Sequence, residues 1–492
     1  MKNLLTANQI KDVDDYTIKR QSIISLDLME QAALAFVNTF VTRLKSTDLP
    51  IWIICGQGNN GGDGLAIARL LYEKGYSNIK IFLASFSEKS SEDYLKNLQR
   101  IDNKIPIFKE LKDLHLSKKD VVIDAILGSG LNKPLTGKYE KLTVLISTSA
   151  AYVVAVDIPT GFKSEGKLDE VYNGVIADWV ITFQLPKINF FFPESAKALK
   201  EFEVVPIGLD DGYIQNLHSI WKLVSKSAIT QLLKPRVNFS HKGTYGHALV
   251  VAGNIETMGA ALLTTGACLH AGAGLVTASI PQTGLTALNV SLPEAMFLKR
   301  DNLLSNDFNK FQAIAIGPGL GIDDEQVQLL TYLLHLQKPL VLDADALNIL
   351  SAHKDLVGKL PPQSIITPHL KEFDRLFGNH QTWWDRVETA REKAQRLNIV
   401  IVLKNQYTFV CLPNGDVCIN PTGNPAMAQG GMGDVLTGII TSFLAQGYTA
   451  TDSAILGVYI HGKTGDFLAT EKAVVSAYEL SKNVPVILKK MQ

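Results

Sequence analysis

Residues 56–64 read GQGNNGGDG, between an apolar run at Ile51–Cys55 and a segment of helical spacing from Gly64 to Lys74. The uninterrupted apolar run predicts a strand buried on both faces, as in a parallel sheet. Glycine lets backbone amides approach an anion, and the amino end of the following helix adds unpaired N–H groups. The stretch therefore predicts a phosphate-cradling strand–loop–helix unit. Its spacing is not the usual dinucleotide fingerprint, which disfavours a hydride-transferring dehydrogenase.

The alternation of apolar strands and helical segments continues on both sides of this unit. In the first half, further strands are predicted at 79–83, 121–127, 153–158, 179–183 and 202–205. Such alternation predicts a parallel sheet with helices on both faces, a Rossmann-like three-layer sandwich over residues 1–215. A second α/β series over 225–492 is predicted to have strands at 247–252, 275–280, 313–316, 340–342, 364–366 and 399–403, and a hairpin at 409–419. The linker is expected within 210–240.

Composition limits the classes of function. A chain of 492 residues is too long to form a single hydrophobic core, so more than one domain is expected. Its 48 basic side chains balance its 48 acidic side chains in charge. Zero net charge argues against bulk attraction to nucleic acid or an anionic membrane. Four cysteines without CxxC spacing indicate reduced, buried thiols, and the amino terminus is typical of neither a signal nor a transit peptide. No apolar run reaches the roughly 20 residues that cross a bilayer. These features predict a cytoplasmic protein with small-molecule ligands and no nucleic-acid or membrane partner.

Two more predicted strands of the first half end in polar, glycine-bearing turns. Asp124 precedes a turn that begins at Gly128, and Asp157 precedes Thr160. Ligands of open parallel sheets bind outside the carboxyl ends of the strands. Asn60, Asp124 and Thr160 are therefore expected to converge as oxygen ligands for a hard cation, although each alone is also typical of loop capping.

These segments carry a family resemblance. GQGNNGGDG, DAILGSGLNKPL (124–135) and VDIPTG (156–161) resemble the NAD(P)H-hydrate epimerases, the YjeF N-terminal domain, over about residues 1–210. The resemblance implies a K⁺ site at Asn60, Asp124 and Thr160, with threonine where serine is common. It also implies that the hydrated cofactor is held by Asn59, Asn60, Gly61, Gly62, Asp63, Gly128, Ser129, Gly130, Leu131, Asn132, Lys133, Pro134, Tyr139 and Asp157.

Asp157 is our candidate for acid–base chemistry in the first half. Epimerisation at C6 of the hydrate needs the C–O bond to break and to re-form on the opposite face. Such a reaction calls for a proton donor and acceptor, and Asp157 is expected at a strand end beside the ligand.

The strongest motif of the second half reads NPTGNPAMAQGGMGD over residues 420–434, before an apolar helix. Gly-Gly-x-Gly-Asp at the start of a helix combines backbone amides for an anion with a carboxylate that can take a hydroxyl proton. Asp434 is thus a candidate catalytic base. The alternative is a helix-capping aspartate after a flexible loop.

This motif resembles the GxGD element of the ribokinase superfamily, and the longer NPTGNP…GGxGD string is similar to its ADP/ATP-dependent NAD(P)H-hydrate dehydratases, over about 225–492. Supporting matches are HKGTYG (241–246), GPGLG (317–321), DADALN (343–348) and TPH (367–369). A ribokinase-like fold is implied, with hydrate bound by Ala260, Gly319, His369 and Asp434. Mg²⁺ with ADP or ATP is also implied, with nucleotide bound by Lys404, Asn405, Gln406, Tyr407, Thr408 and Gly433. Departures at Asn405, Ala426, Gln429 and Met432 leave the nucleotide preference open, with ADP favoured.

Together the resemblances imply a bifunctional repair enzyme. One domain interconverts R- and S-NADHX or NADPHX, and the other dehydrates the S form with ADP (or ATP), giving AMP (or ADP) and phosphate. A homo-oligomer is also expected. One alternative is a ribokinase-superfamily small-molecule kinase with an N-terminal ligand- or partner-binding module. Another is a non-enzymatic N-terminal domain, which the polar strand ends disfavour.

Overall fold

The structure, a computed structural model, describes residues 1–130 and 134–492. The predicted cofactor residues Leu131, Asn132 and Lys133 lie outside the described residues. The chain folds into two compact units. One comprises Asn3–Ser219, and the other comprises Met1–Lys2 together with Ile220–Gln492.

The first 219 residues alternate strands with helices. In chain order the elements are β1 (Lys2–Asn3), α1 (Ala7–Gln21), α2 (Ser25–Arg43), β2 (Ile51–Cys55), α3 (Asn59–Glu73), β3 (Ile79–Leu83), α4 (Glu92–Gln99), β4 (Ile107–Phe108), β5 (Val121–Ala125), α5 (Lys138–Thr148), β6 (Tyr152–Val156), β7 (Ala177–Phe183), β8 (Leu199–Val205) and α6 (Asp211–Asn216). Seven of the strands form one parallel sheet in the order β4-β3-β2-β5-β6-β7-β8.

Both faces of this sheet are covered, which makes the unit a three-layer sandwich. Ile51 and Ile53 of β2 point into a core with Phe36 of α2 and the apolar side of α3. The alternate residue Ile54 points into a second core, on the α5 side. Every residue of β2 is buried, because a strand covered on both faces exposes neither side of its pleat.

The glycine-rich stretch differs from the predicted loop, because α3 begins at Asn59 rather than at Gly64. A Cβ on Gly61 would lie 1.8 Å from the Gly56 carbonyl oxygen, and one on Gly64 would lie 2.5 Å from the Ala125 Cβ. These glycines therefore let the first turn of α3 pack directly onto β2 and β5. The anion-binding potential lies in the amino end of the helix itself.

The second unit has a longer, mixed sheet. Its elements are β9 (Trp221–Leu223), α7 (Lys226–Leu232), β10 (His247–Val251), α8 (Met258–His270), β11 (Leu275–Ile280), α9 (Leu285–Ser291), β12 (Met296–Lys299), β13 (Ala313–Ile316), α10 (Asp324–His335), β14 (Leu340–Leu342), α11 (Asp345–Ala352), β15 (Ile365–Ile366), α12 (Leu370–Phe377), α13 (Trp383–Leu397), β16 (Val400–Leu403), β17 (Phe409–Cys411), β18 (Val417–Ile419), α14 (Met432–Ala445), α15 (Ala450–Ala469) and α16 (Ala477–Met491). The strand order is β1-β9-β18-β17-β16-β15-β14-β13-β10-β11-β12.

Between β12 and β16 the neighbouring strands of this sheet pair in parallel, and the predicted hairpin is present as the antiparallel pair β17 and β18. Ala248 and Val250 of β10 face a core built with α8, α14, α15 and α16. Strand β9 lies before residue 225, the predicted start of the second domain. It belongs to the second sheet, because it pairs with β18.

No single helix in the described part of the chain is long and apolar enough to span a membrane. Only the pair α1 and α2, bent by 108°, meets the length and composition criteria together.

Candidate active sites

A cleft of about 680 Å³ opens at the carboxyl edge of the first unit's sheet. Residues that follow five of its strands line it, and α1 and α2 close the opposite side. The predicted ligand residues among its walls are Asn59, Asn60, Asp63, Gly128, Ser129, Gly130 and Asp157. The apolar walls include Ile10, Ile18, Leu28, Met29, Ile207 and Leu209. A cavity with apolar walls and a few converging polar groups is the usual form of a small-molecule site.

Asp124 and Thr160 meet beneath this cleft. Both side chains are fully buried. The Thr160 hydroxyl donates to Asp124 Oδ1 over 2.7 Å, and the Thr160 backbone N–H donates to Oδ2 over 2.8 Å. Burial raises the pKa of Asp124 to about 6, although the hydrogen bonds from Thr160 act in the opposite direction. The pair thus holds a buried carboxylate that forms no ion pair with any described residue.

Asn60 is the third residue of the predicted cation set. It lies in the first turn of α3 and is 8% exposed, and its buried Nδ2 atom has no hydrogen-bond partner among the described residues. Gly128 lies directly beside it, since a Cβ there would be 3.4 Å from the Asn60 Cβ. A buried amide without a partner is costly, so this side chain is suited to meet a ligand.

Asp157 follows β6 in a left-handed backbone conformation, with φ of 64°. Such a conformation costs a non-glycine residue about 1–3 kcal/mol and recurs at ligand sites. Its Oδ1 accepts from Lys187 Nζ over 2.6 Å, from the Phe183 N–H over 2.9 Å and from the Thr182 hydroxyl over 3.1 Å. Lys187 is 6% exposed, and its ammonium lies against this carboxylate.

Asp14, Asp15 and Asp63 also line the cleft, and the pKa values of Asp14 and Asp63 are raised. Burial, assisted by the charge of Asp157, raises the pKa of Asp14 to about 7, while Lys187 opposes the shift. Burial also raises the pKa of Asp63 well above its ordinary range, and the charges of Asp157, Asp14 and Asp93 add to the effect. A general acid or base works best with a pKa near the operating pH.

Of the described residues predicted to hold the hydrated cofactor, four do not line this cleft. Gly61 packs against Gly56, and Gly62 packs against Met29 and Tyr94. Pro134 lines a different, small depression beside Gly161. Tyr139 lies on α5 with its ring 5.2 Å from that of Phe86, in the core on the other face of the sheet.

Sequence reasoning missed Asp14 and Lys187. Lys187 follows the predicted strand 179–183, so the strand-end argument used for Asp124 and Asp157 could have found it. Asp14 lies on α1, which no strand-end argument reaches.

The second unit places its candidate residues at the carboxyl ends of β13 to β16. Lys404 follows β16, and its Nζ lies 2.8 Å from Asp343 Oδ1 and 4.0 Å from Glu372 Oε2. Asp343 follows β14, is 2% exposed and also accepts from the Thr437 hydroxyl over 2.9 Å. A Cβ on Gly433 would be 3.3 Å from Lys404 Nζ, so the first turn of α14 lies directly against this ion pair.

Asp434 lies in the same first turn of α14, after Gly431 in a left-handed conformation with φ of 87°. A Cβ on Gly431 would lie 2.5 Å from Leu263, so both the space and the conformation favour glycine. Burial raises the pKa of Asp434 to about 6, the charge of Asp343 adds to the effect and Lys404 opposes it. The carboxylate thus sits beside helix amides that can bind an anion.

His369 caps the amino end of α12. Its Nδ1 accepts from the N–H groups of Lys371 and Glu372, and the Glu372 side chain accepts from the His369 N–H over 2.8 Å. Burial lowers the pKa of His369, and the charge of Lys404 lowers it further. The backbones of Lys404 and His369 also pair in a single parallel β-bridge. This histidine is therefore both a structural cap and a neighbour of the Lys404 cluster.

Gly319 and Ala260 are adjacent, as their predicted common role requires. A Cβ on Gly319 would lie 3.0 Å from the Ala260 Cβ, and Gly319 has a φ of 57°. The Thr257 hydroxyl donates to the Gly319 carbonyl over 2.7 Å.

The NPTGNP segment is held on α15. The Gly423 N–H and the Asn424 amide both donate to Asp466 Oδ1, and the Thr422 hydroxyl donates to the Tyr459 carbonyl. Thr408 closes the turn after Lys404 by donating to the Asn405 carbonyl. Gln406 in this turn is exposed, and Tyr407 is half-buried.

The site residues missing from the sequence prediction here are Asp343, Glu372 and Thr437. Asp343 stands in the DADALN segment that the resemblance had already singled out, and Glu372 lies three residues after its TPH segment. Among the described residues, no group of three or more His, Cys, Asp or Glu side chains is arranged to hold a metal ion.

Two family models match the chain. Residues 25–189 match the YjeF-related protein N-terminus, and residues 248–486 match the NAD(P)H-hydrate dehydratase model.

Curated relatives match nearly the whole chain. The relative from Moorella thermoacetica is 35% identical over 520 residues, covering 99% of this chain and 97% of its own length. That from Thermofilum pendens is 32% identical and covers 94% and 92%, and that from Escherichia coli is 32% identical and covers 91% and 86%. Each is named a bifunctional NAD(P)H-hydrate repair enzyme.

Solved structures match the second half. A ribokinase-like superfamily protein from Enterococcus faecalis aligns with a TM-score of 0.52 and 31% identity, covering 56% of this chain and 98% of its own. The ADP/ATP-dependent NAD(P)H-hydrate dehydratase from Bacillus subtilis, co-crystallised with ATP and Mg²⁺, aligns with a TM-score of 0.50 and 32% identity, covering 55% and 99%. The second unit is thus ribokinase-like in fold.

Proposed function

Because this chain belongs to the family of bifunctional NAD(P)H-hydrate repair enzymes, we propose that it returns hydrated NADH and NADPH to the active cofactors in two steps. The domain of residues 1–215 interconverts the R and S hydrates at C6. The domain of residues 225–492 dehydrates the S form with ADP or ATP, releasing AMP or ADP and phosphate. The observation that carries the proposal is that each unit has its own polar site at the carboxyl edge of its sheet, in a chain that aligns with a bifunctional relative over 99% of its length.

In the first step the hydrate occupies the 680 Å³ cleft. Asn59, Asn60, Asp63 and Gly128–Gly130 would hold it, and the amino end of α3 is suited to its phosphates. Leu131, Asn132, Lys133, Pro134 and Tyr139 are retained as predicted contacts from the family resemblance alone. Asp157 is the residue proposed for acid–base chemistry there, because its carboxylate faces the cleft.

The first step also uses K⁺, held by Asn60, Asp124 and Thr160. The donor set fits this ion, because amide, carboxylate and hydroxyl oxygens are what a hard cation takes. The buried Asp124 carboxylate supports the assignment, since burial alone disfavours its charge and a cation would offset that cost. The test is to replace KCl by tetramethylammonium chloride, which should lower the epimerisation rate in the wild type but change nothing further in Asp124→Asn.

In the second step Asp434 takes the proton of the C6 hydroxyl, and the hydroxyl oxygen attacks the terminal phosphorus of the nucleotide. The bond from that phosphorus to the bridging oxygen breaks, and AMP or ADP leaves. The backbone amides of Gly430–Gly433 stabilise the charge on the transferred group. The C6–O bond then breaks towards phosphate, a proton is lost from C5, and the nicotinamide double bond is restored.

Lys404 to Thr408 and Gly433 would bind the nucleotide, and Ala260, Gly319 and His369 the hydrate. Mg²⁺ bound with the nucleotide would supply positive charge against its phosphates. Asp343 and Glu372, beside Lys404, are the carboxylates that would hold it, and carboxylates are ligands that Mg²⁺ takes.

The deciding experiment mixes the enzyme with R,S-NADHX and either ADP or ATP and follows the absorbance of restored NADH. If both activities are present, both epimers are converted completely to NADH. If NADH formation stops at the amount of S-NADHX in the mixture, only the dehydratase is active. A phosphorylated product that persists, without NADH, would favour the small-molecule kinase with an N-terminal binding module.

Two variants separate the steps. Asp434→Asn is expected to abolish NADH formation while R and S hydrates still interconvert. Asp157→Asn is expected to leave the plateau at the S fraction, and full conversion by this variant would remove Asp157 from the mechanism.

The homo-oligomeric state and the cytoplasmic location, with no membrane or nucleic-acid partner, stay predictions. Light scattering on the purified protein and fractionation of its host test them.

A further inference from the structure

The first cleft brings together more titratable groups than the epimerase family resemblance assigns. Asp14 lines it from α1 and Asp157 from the turn after β6, with the Lys187 ammonium against Asp157. The Asn60 side chain of the same cleft is 92% buried, since it is 8% exposed, and its Nδ2 lacks a hydrogen-bond partner among the described residues. That unpartnered donor marks the cleft as a place for a ligand, independently of its acidic groups.

The two carboxyl groups stand in opposite environments. Oδ1 of Asp157 accepts three hydrogen bonds, one of them from an ammonium, and these donors stabilise negative charge there. Within the described ranges its Oδ2 receives no hydrogen bond and is left for a ligand. Asp14 forms no ion pair within residues 1–130 and 134–492 and lies among apolar side chains such as Ile10 and Ile18, which favours its protonated form.

We infer that Asp14 and Asp157 act as an acid–base pair on the two epimers, with Lys187 positioning Asp157, an inference that rests on the proposed epimerase function. In many enzymes two carboxyl groups lie in different surroundings, so that one is protonated and acts as an acid while the other is ionised and acts as a base.

The pair of Asp14 and Asp157 holds one proton before and after each epimerisation. Asp14 gives its proton to the C6 hydroxyl, the C6–O bond breaks and its electrons leave with the water formed. The N1 lone pair becomes the second bond of an N1–C6 iminium. Water then adds to C6 from the opposite face, forming the new C6–O bond, and its surplus proton passes to Asp157. The reverse epimerisation moves the proton from Asp157 to Asp14, so each turnover leaves one proton on the pair.

The pH dependence follows from the charges around Asp14. The groups that face it are Lys11 and Asp15 on its own helix, Asp63 on α3, Asp157 and Lys187. Their combined effect with burial is a pKa of about 7. The pair therefore loses its proton above about pH 7, and the epimerisation rate is expected to fall there about tenfold for each pH unit.

The experiment uses the full chain with pure S-NADHX and no nucleotide, so that the dehydratase is idle, and follows the R/S ratio by chromatography between pH 6 and 9. Asp14→Asn is expected to lower kcat by about 10²- to 10⁴-fold and to abolish the fall above pH 7. Asp14→Glu should recover part of the rate. Asp12→Asn is the matched control, because Asp12 is exposed on the same helix and does not line the cleft. It should behave as the wild type.

Lys187→Gln tests the positioning role. It should lower kcat for epimerisation with little change in KM for S-NADHX, because the Asp157 carboxylate loses the ammonium that holds its Oδ1, and Lys187→Arg should restore part of kcat. A merely structural lysine would change protein yield or melting temperature without a selective loss of kcat.

The outcomes separate the two proposals. A wild type that does not epimerise at any pH overturns the proposed function. A wild type that epimerises, with Asp14→Asn matching it in rate and pH profile, overturns the acid–base pair alone. Thermal unfolding of each variant at the wild-type melting temperature shows that the unit of residues 3–219 is folded, and conversion of S-NADHX after addition of ADP shows the same for the second unit.

Discussion

Lowering the pH from 7 to 5 is expected to slow dehydration of S-NADHX roughly tenfold, because Asp434 must be ionised to take the hydroxyl proton. Burial, helped by the charge of Asp343, raises the pKa of Asp434 to about 6. At pH 5 a carboxyl group with that pKa is about one-tenth ionised. With its ordinary value of 3.8 it would be more than about nine-tenths ionised, and the rate would hardly change.

The assay measures kcat/KM for S-NADHX with saturating ADP and Mg²⁺ between pH 4.5 and 8, from the absorbance of NADH. This ratio reports titration of the free enzyme. Asp343→Asn removes the negative charge that raises the pKa of Asp434, so the midpoint of the acid limb should move to lower pH. Asp323→Asn, which changes an exposed carboxylate of the same unit, should leave the midpoint in place.

A midpoint near 4 in the wild type would refute the reasoning that burial tunes Asp434. A midpoint near 6 that Asp343→Asn leaves unmoved would refute the electrostatic part of it. A loss of rate in Asp343→Asn without a shift would mean that Asp343 acts by holding Lys404 or Mg²⁺ and not by raising the pKa of Asp434.

Three further predictions concern stability and reactivity. Gly438→Ala should lower the free energy of unfolding by about 1–3 kcal/mol in urea titrations, because its Cβ would lie 2.2 Å from the Thr264 carbonyl oxygen, where α14 crosses α8. Gly430→Ala, with no described atom within 4 Å of its Cβ, should change it by less than about 0.5 kcal/mol. Arg300→Met should cost about 2–4 kcal/mol in the same titration, because the buried Nη2 donates to carbonyls after β10 and in β11; a variant as stable as the wild type would contradict this. The four thiols are buried, and burial raises the pKa of each: Cys55, Cys268, Cys411 and Cys418. The native protein should therefore not react with Ellman's reagent until it unfolds.

The sequence by itself determined the architecture of both halves. Strands β2, β3, β11, β13 and β14 have the predicted bounds, because a strand covered on both faces is built mostly of apolar residues. Strands β4 and β12, at the edges of their sheets, and β9, next to the edge of the second sheet, escaped prediction. They are short or partly exposed, so burial imposes no such pattern on them.

The start of α3 shows what local signals miss. The five glycines of residues 56–64 suggest a loop, since glycine is unfavourable within a helix. Here the helix begins at Asn59, because Gly61 and Gly64 permit a close approach to β2 and β5 that any side chain would block. Packing against the sheet outweighs propensity, and that packing is visible only in three dimensions.

The site residues also fall into those that the sequence indicates and those that only the tertiary structure brings together. Asp124, Asp157, Thr160 and Asp434 stand in motifs, so their residue types and their order along the chain are enough to indicate chemistry. The pairing of Asp157 with Lys187, and the approach of Asp14 from a helix more than a hundred residues earlier, follow from the tertiary structure alone. Proton affinity depends on burial and on charges a few ångströms away, and neither quantity is a property of neighbouring sequence.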